Sequence, residues 1–296
     1  MAKERETFLQ KKEKKSGMAI FATVVMSIYS LLLVVPLLWA IMCSFKSMTD
    51  FGLNPFGLPN RWNFDNYLKA FTELNVMVES GGTSRRVNLA EMFANSLYYA
   101  IVCAFIGQFT RAACAYCAAK YRHHPEMRFM HKLVVVLIVF ALPSSHAGMI
   151  RMRQLLGLYD NLFIGETILS IGFTGTQFLF YYAAFKGVSS GYMEAARIDG
   201  AGEFTIFMKV MFPLIRNTFF ALFVLSFIAL WNDYEVSVLY LPSHPVVAYG
   251  LFKFKTYKSI PIQLAGCSLV IIPTLTLFLI FKNKLVGNLS IGGLKG

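Results

Sequence analysis

Charge is scarce in this sequence, and acid is scarcer. Only 15% of its 296 residues are charged, with 16 Asp and Glu against 28 Lys and Arg. No Gly-x-x-x-x-Gly-Lys-Ser/Thr run occurs, so the chain lacks the usual cradle for ATP phosphates. It also lacks a nucleophile motif and zinc-ligand spacing, so catalytic chemistry is not supported and the chain reads as a non-enzyme that holds no cofactor or metal itself. Five cysteines, Cys43, Cys103, Cys114, Cys117 and Cys267, are dispersed in apolar runs and suggest no disulfide framework. Cys114-Ala-Tyr-Cys117 has redox or metal spacing without a second pair, and reads as small packing residues. His123, His124 and His131 lack nearby thiols or a carboxylate set, and read as headgroup contacts.

What the chain has is apolar length. Hydrophobic residues make up 56% of it and the mean hydropathy is +0.54, too apolar for an ordinary soluble domain. A net charge of +12 could suit nucleic acid. The charges cluster between apolar runs, however, which fits a membrane protein with basic internal loops and no nucleic-acid partner. A hydrocarbon core needs about 20 apolar residues per helix. Runs of that order lie near 18–44, 94–119, 133–150, 162–185, 214–240 and 264–281, giving six spans. Pro36 and Pro143 fall inside the first and third. Residues 1–17 form a basic tail carrying Lys11, Lys12, Lys14 and Lys15, and the run after it is too long for a signal-peptide core. The spans and their loops occupy 18–286, and a second tail occupies 287–296. Lys120–Lys132, the 186–213 segment with Lys186, Arg197 and Lys209, and Lys282 and Lys284 place both termini in the cytoplasm. The long stretch 46–91 and the stretch 241–262 read as outer loops.

A polar island, Tyr192 to Pro213, organises the rest. Ser189, Ser190 and Gly191 suit a helix start, and Glu194 is favoured in a first turn by the helix dipole. Gly200 and Gly202 permit a sharp change of direction. Phe204, Phe207, Met208 and Met211 then form one stripe at helical spacing, which Pro213 ends. Helix, turn, helix between two spans makes a compact knob for a soluble partner.

Glu194-Ala195-Ala196, Gly200 and Pro213 resemble the EAA loop of permease subunits of binding-protein-dependent ABC importers. Val210 and Phe212 stand where Ile and Leu are usual, and both remain apolar. Asp199-Gly200-Ala201, Trp231-Asn232-Asp233 and the tail Gly292-Gly-Leu-Lys-Gly296 resemble the carbohydrate branch, and within it the second subunit of maltose permeases. Asn60 to Tyr67 is similar to that family's extracytoplasmic stretch before the second span. The resemblance implies an all-α membrane protein of the ABC type I importer permease fold, with six transmembrane helices and a cytoplasmic EAA coupling-helix loop at 186–213. It implies half of a translocation pathway for a sugar or oligosaccharide in a bacterial or archaeal cell membrane. The implied partners are a second permease subunit, two ATPase subunits that would bind the ATP, and an extracytoplasmic solute-binding protein. Glu194, Ala195, Ala196, Asp199, Gly200 and Pro213 would carry the ATPase coupling. A permease for a peptide, polyamine or phosphate is the alternative within the family. An ion-coupled secondary transporter is the alternative outside it, although no internal repeat is visible.

Polar residues inside spans are pathway candidates by default: Arg111, one turn from Gln108, and Asn232, Asp233 and Glu235. Arg111 has three readings: snorkelling to headgroups, pairing with Asp233 or Glu235, or touching substrate. Arg151, Arg153, Lys253, Lys255 and Lys258 break the basic-inside bias. They suit either acidic patches on a partner, with the three lysines as the binding-protein contact, or attraction of an acidic substrate such as a uronate-containing oligosaccharide. The orientation is checked on a cysteine-free background: His123→Cys should resist an impermeant maleimide added outside, and Thr256→Cys should react. The reverse labelling would refute it.

Overall fold

The computed structural model describes residues 17–80, 82–140 and 145–286, with side chains described except at 80, 256, 257 and 281–286. The tails at 1–16 and 287–296, and Pro143, lie outside the described residues. Among the described residues, three helices are long and apolar enough to cross a membrane: α1 (Gly17–Ser44), α4 (Leu89–Lys120) and, over Ile260–Ile280, the helix α14 (Ile260–Val286). At 1.5 Å per residue, the 28 residues of α1 reach about 42 Å, beyond a core about 30 Å thick. Pro36 lies inside α1 without ending it.

The other predicted spans are broken. The third divides into α5 (Pro125–Val139) and α6 (His146–Leu155). The fourth divides into α7 (Ile164–Ser170) and α8 (Thr176–Gly187), where Gly175 takes φ +112, a conformation that suits glycine. The fifth is α11 (Arg216–Trp231) and the short α12 (Glu235–Leu239), because an Asp233 carboxylate oxygen accepts from the Val236 N–H and starts a new helix. Ahead of α11 lie α9 (Gly191–Ile198) and α10 (Glu203–Leu214), and α10 meets α11 at a 79° bend.

The predicted outer loops are built rather than merely solvated. Residues 46–91 hold α2 (Met48–Leu53), α3 (Asp65–Glu73) and a hairpin, β1 (Val76–Ser80) and β2 (Thr83–Val87). The hairpin departs from the all-α expectation. Its register sets Val76 opposite Val87 and Val78 opposite Arg85, with Gly82 at φ +81 in the turn. In β1, Val76 and Val78 are buried while Met77 and Glu79 face out, the period of two that a half-buried strand needs, and Val87 of β2 is buried opposite Val76. Lys46 is wholly buried and donates to the Asn54 carbonyl, and the Asn66 amide ties the carbonyls of Ser44 and Lys46 at 2.7 Å each. Residues 241–262 contain α13 (Val247–Tyr257).

Two main cores result. One joins α4, α8, the 193–211 segment and the start of α11 through Ala115, Phe178, Phe185, Phe207 and Phe219. The other joins α3, the hairpin, the start of α4, α11, α13 and α14 through Leu74, Val78, Met92, Trp231 and Phe254. Between them, α4 carries a π-turn at Tyr99–Cys103. Gly165, in α7, has no room for a side chain: a β-carbon there would stand 2.5 Å from the Leu158 carbonyl oxygen. Gly165→Ala should therefore cost about 1–3 kcal/mol by overpacking, seen as a lower Tm in detergent. Gly187→Ala, with nothing within 4 Å of the new carbon, should stay within about 0.5 kcal/mol.

Candidate functional site

Two places collect the polar residues. The first is the knob between α8 and α11. Its α9 ends as the sequence suggests: Gly200 takes φ +80, its N–H bonds the Arg197 carbonyl at 3.0 Å, and the Ala201 N–H bonds the Ala196 carbonyl at 2.9 Å. The start differs. Ser190 makes no side-chain cap, and Ser189 Oγ instead accepts from the Gly191 N–H at 3.2 Å. The expected stripe differs too. Ile206–Met211 form a π-turn, whose extra residue per turn rotates the side chains after it around the helix axis. Ile206, Phe207 and Met211 are buried, Met208 is half-buried, and Phe204 is 75% exposed. Pro213 sits near the start of a last helical turn at Phe212–Leu214, and the break falls at Ile215.

The knob is fastened at several points. Phe207 packs against Tyr116 and Phe109, with ring centres 5.0 and 5.9 Å away, and Met193 is buried beside them. Across the Gly200 turn, Arg197 Nη2 meets Glu203 at 2.7 Å, and the Tyr121 hydroxyl from the end of α4 donates to the same carboxylate. Lys120 donates to the Val188 carbonyl. The Tyr121 hydrogen bond, ahead of Arg197, holds the Glu203 carboxyl below the usual carboxylate range. These contacts thus contribute above the ordinary carboxylate pKa and fade as pH falls through the folded one. Their exposure keeps the contribution small. Glu194, Ala195, Asp199, Gly200 and Pro213 are exposed and Ala196 is half-buried; the Glu194 carboxylate has no hydrogen bond or ion pair among the described residues. Neither Tyr121 nor Glu203 carries a motif, so nothing short of the fold would have joined them.

The second place is a cavity of about 370 Å³ between α4, α6, α7 and α11. Arg153 stands here, 7% exposed, rather than in a solvated outer turn. It is ion-paired with Glu166, and the Tyr240 ring covers its guanidinium at 3.8 Å. Glu166 lies inside the predicted fourth span, where a carboxylate is itself the signal of a site; the apolarity of the run hides it. Arg111 forms no ion pair with Asp233 or Glu235 among the described residues. Its Nε donates to the Thr174 carbonyl at 3.0 Å, inside the break between α7 and α8. Asp233 accepts instead from the Tyr99 hydroxyl at 3.2 Å. Gln108 is buried, with Ser226 on its amide nitrogen and Tyr181 donating to its oxygen at 3.0 Å. Asn232 bonds back to the Ile228 carbonyl at 2.8 Å, and Glu235 is exposed; neither lines the cavity.

The three lysines also separate. Lys258 is paired with Glu73 at 2.7 Å, Lys253 lies 5.7 Å from the Tyr249 ring centre, and Lys255 is exposed. Lys253, Lys258 and Arg86 share a groove of about 650 Å³ with Glu73. Of the histidines, His131 is half-buried and packs on the Tyr182 ring at 4.3 Å. Cys114 is buried and Cys117 half-buried, both free thiols.

Known proteins match this chain along most of its length. The model of the family described as "Binding-protein-dependent transport system inner membrane component" matches residues 127–284. The chain is 26% identical over 274 residues to the diacetylchitobiose uptake system permease protein NgcG of Streptomyces coelicolor (strain ATCC BAA-471 / A3(2) / M145), covering 90% of this chain and 85% of that one. It is 27% identical over 276 residues to the probable starch degradation products transport system permease protein AmyC of Thermoanaerobacterium thermosulfurigenes, covering 90% and 94%. A chain in the crystal structure of a bacterial ABC transporter involved in the import of the acidic polysaccharide alginate superposes with a TM-score of 0.74 at 21% identity, covering 90% of this chain and 95% of that one.

The buried pair gives a measurable expectation. Glu166→Gln leaves the Arg153 charge buried without a counter-charge, and should cost about 3–5 kcal/mol. Adding Arg153→Met should recover most of that loss. Thermal unfolding of the two variants in detergent checks it, and a double variant as unstable as the single one would overturn it.

Proposed function

Because this chain belongs to the binding-protein-dependent transport system inner membrane component family, we propose that it forms half of the membrane pathway of an ATP-driven importer for a sugar or oligosaccharide. It is a multi-pass membrane protein and a permease subunit. ATP binding and hydrolysis belong to two separate ATPase subunits, so this chain needs no cofactor of its own. A second permease subunit completes the pathway, and an extracytoplasmic solute-binding protein delivers the solute. The relatives named for diacetylchitobiose and starch degradation products support the carbohydrate branch over peptides, polyamines or phosphate.

One observation carries the coupling role. Glu194, Ala195, Asp199 and Gly200 are exposed on a knob whose base is buried in the core shared by α4, α8 and α11. A push or pull on that surface reaches those helices through packed rings rather than a slack loop. The Glu194 carboxylate, free of partners among the described residues, is placed for a charge-assisted contact with a donor of the ATPase. ATPase closure would move the knob and open the cavity outward, and hydrolysis would reset it. The exposed Lys253 and Lys255, with the groove holding Lys258 and Arg86, form the surface offered to the binding protein.

Gly200→Pro tests the coupling. Proline fixes φ near −65°, whereas Gly200 takes φ +80. The variant should insert in the membrane at normal yield, lose the co-purifying ATPase and abolish ATP-driven uptake. Unchanged co-purification with normal uptake would sink the assignment.

A further inference from the structure

Two guanidinium groups line the cavity between α4, α6, α7 and α11, and they stand differently. The Arg153 charge is neutralised by Glu166, although its Nε is buried without a partner among the described residues. The Arg111 charge is not neutralised. It meets no carboxylate among the described residues, and its Nε bond to the Thr174 carbonyl leaves both terminal nitrogens of the fork over. Nor is the side chain trailing loosely. A β-carbon on Gly107 would stand 2.9 Å from Nη1, and one on Gly172 would stand 3.0 Å from Nη2. Glycine at both positions opens a slot in which the planar guanidinium lies. A fixed cation in such a place, half-buried at the wall of a polar cavity, calls for a counter-anion.

We propose that Arg111 is the carboxylate-binding residue of the pathway, and that the solute carried is an oligosaccharide containing acidic, uronate-type sugars. The proposal rests on the reading that the cavity belongs to a saccharide importer. A guanidinium fork matches a carboxylate with two parallel N–H···O bonds, which an ammonium cannot do. The neighbouring groups on the wall, Gln177, Ser226 and the Tyr99 hydroxyl, are neutral donors and acceptors of the kind that ring hydroxyls exchange with water. A carboxylate built into the wall beside Arg111 would neutralise it permanently. A carboxylate on the solute does so only during passage, so the site binds and then releases.

The test uses the whole importer in proteoliposomes, with its second permease, ATPases and binding protein. It is offered a pool of di- to tetrasaccharides, neutral and uronate-containing, each acidic one accompanied by its carboxyl-reduced counterpart. Vesicle contents are identified by mass spectrometry for wild type, Arg111→Lys and Arg111→Gln. Wild type should import acidic members. Arg111→Gln should lower their import at least tenfold while any neutral member falls less than twofold, and Arg111→Lys should recover part of the loss. Import of neutral members alone by wild type would refute the acidic solute and leave the saccharide reading standing. ATP-driven import of no member would sink both. Equal loss in the Lys and Gln variants would assign Arg111 to holding the α7–α8 break, or to pairing with a carboxylate of the second permease, and would overturn the proposal. So would equal loss of acidic and neutral members.

Discussion

Breaking a helix inside a membrane frees backbone groups that no water can satisfy, and protein must supply the partners. This constraint shapes the centre of the chain. At the break between α7 and α8, Thr110 Oγ1 lies 3.2 Å from the Gly172 carbonyl oxygen and 3.3 Å from its nitrogen, and Arg111 takes the Thr174 carbonyl. Both partners are consecutive residues of α4. At the break between α11 and α12, Asp233 takes the Val236 N–H and is itself held by Tyr99, again on α4. The long unbroken helix thus carries the polar groups that let its neighbours be broken. The π-turn at Tyr99–Cys103 sets two of its residues on the cavity wall.

The same helix reaches the knob. Its last turn supplies Tyr121 and Lys120 to the segment around Val188 and Glu203, and its rings, Phe109 and Tyr116, receive Phe207. Cavity and knob are therefore fixed to one rigid element about 48 Å long, by 32 residues at 1.5 Å each. In a permease this is the linkage required: displacement at one end of a stiff rod is displacement at the other. Packed interiors shift between discrete arrangements rather than deforming smoothly.

The first span shows the complementary case. The apolar window of α1 is wholly exposed in the single chain, and its chief packing is against α14. Such a helix finds its surroundings in lipid or another subunit. Its burial belongs to the assembly rather than to this fold.

Periodicity and composition by themselves determined the class: a basic, apolar chain with membrane-length runs and one polar island with a glycine turn. These features are local. A hydrocarbon core sets a length, and a left-handed turn demands glycine, whatever else surrounds them. The Glu194-to-Pro213 motif was legible for that reason, and Gly200 does take the conformation it needs. Which charges meet was not legible, because that depends on contacts between residues far apart in sequence. Arg153 looked like an outer-loop cation and is a buried partner of Glu166. Lys258 looked free and is held by Glu73, 185 residues away. Arg111 and Asp233, for which pairing was one of several readings, serve two different helix breaks. The hairpin at 76–87 and the π-turn at Ile206–Met211 escaped for a related reason: each is stabilised by packing, which overrides a propensity read along one strand or one stripe. Only the tertiary structure brings these groups together, since a charge in a membrane takes the nearest partner in space, and space is decided by the packing of helices.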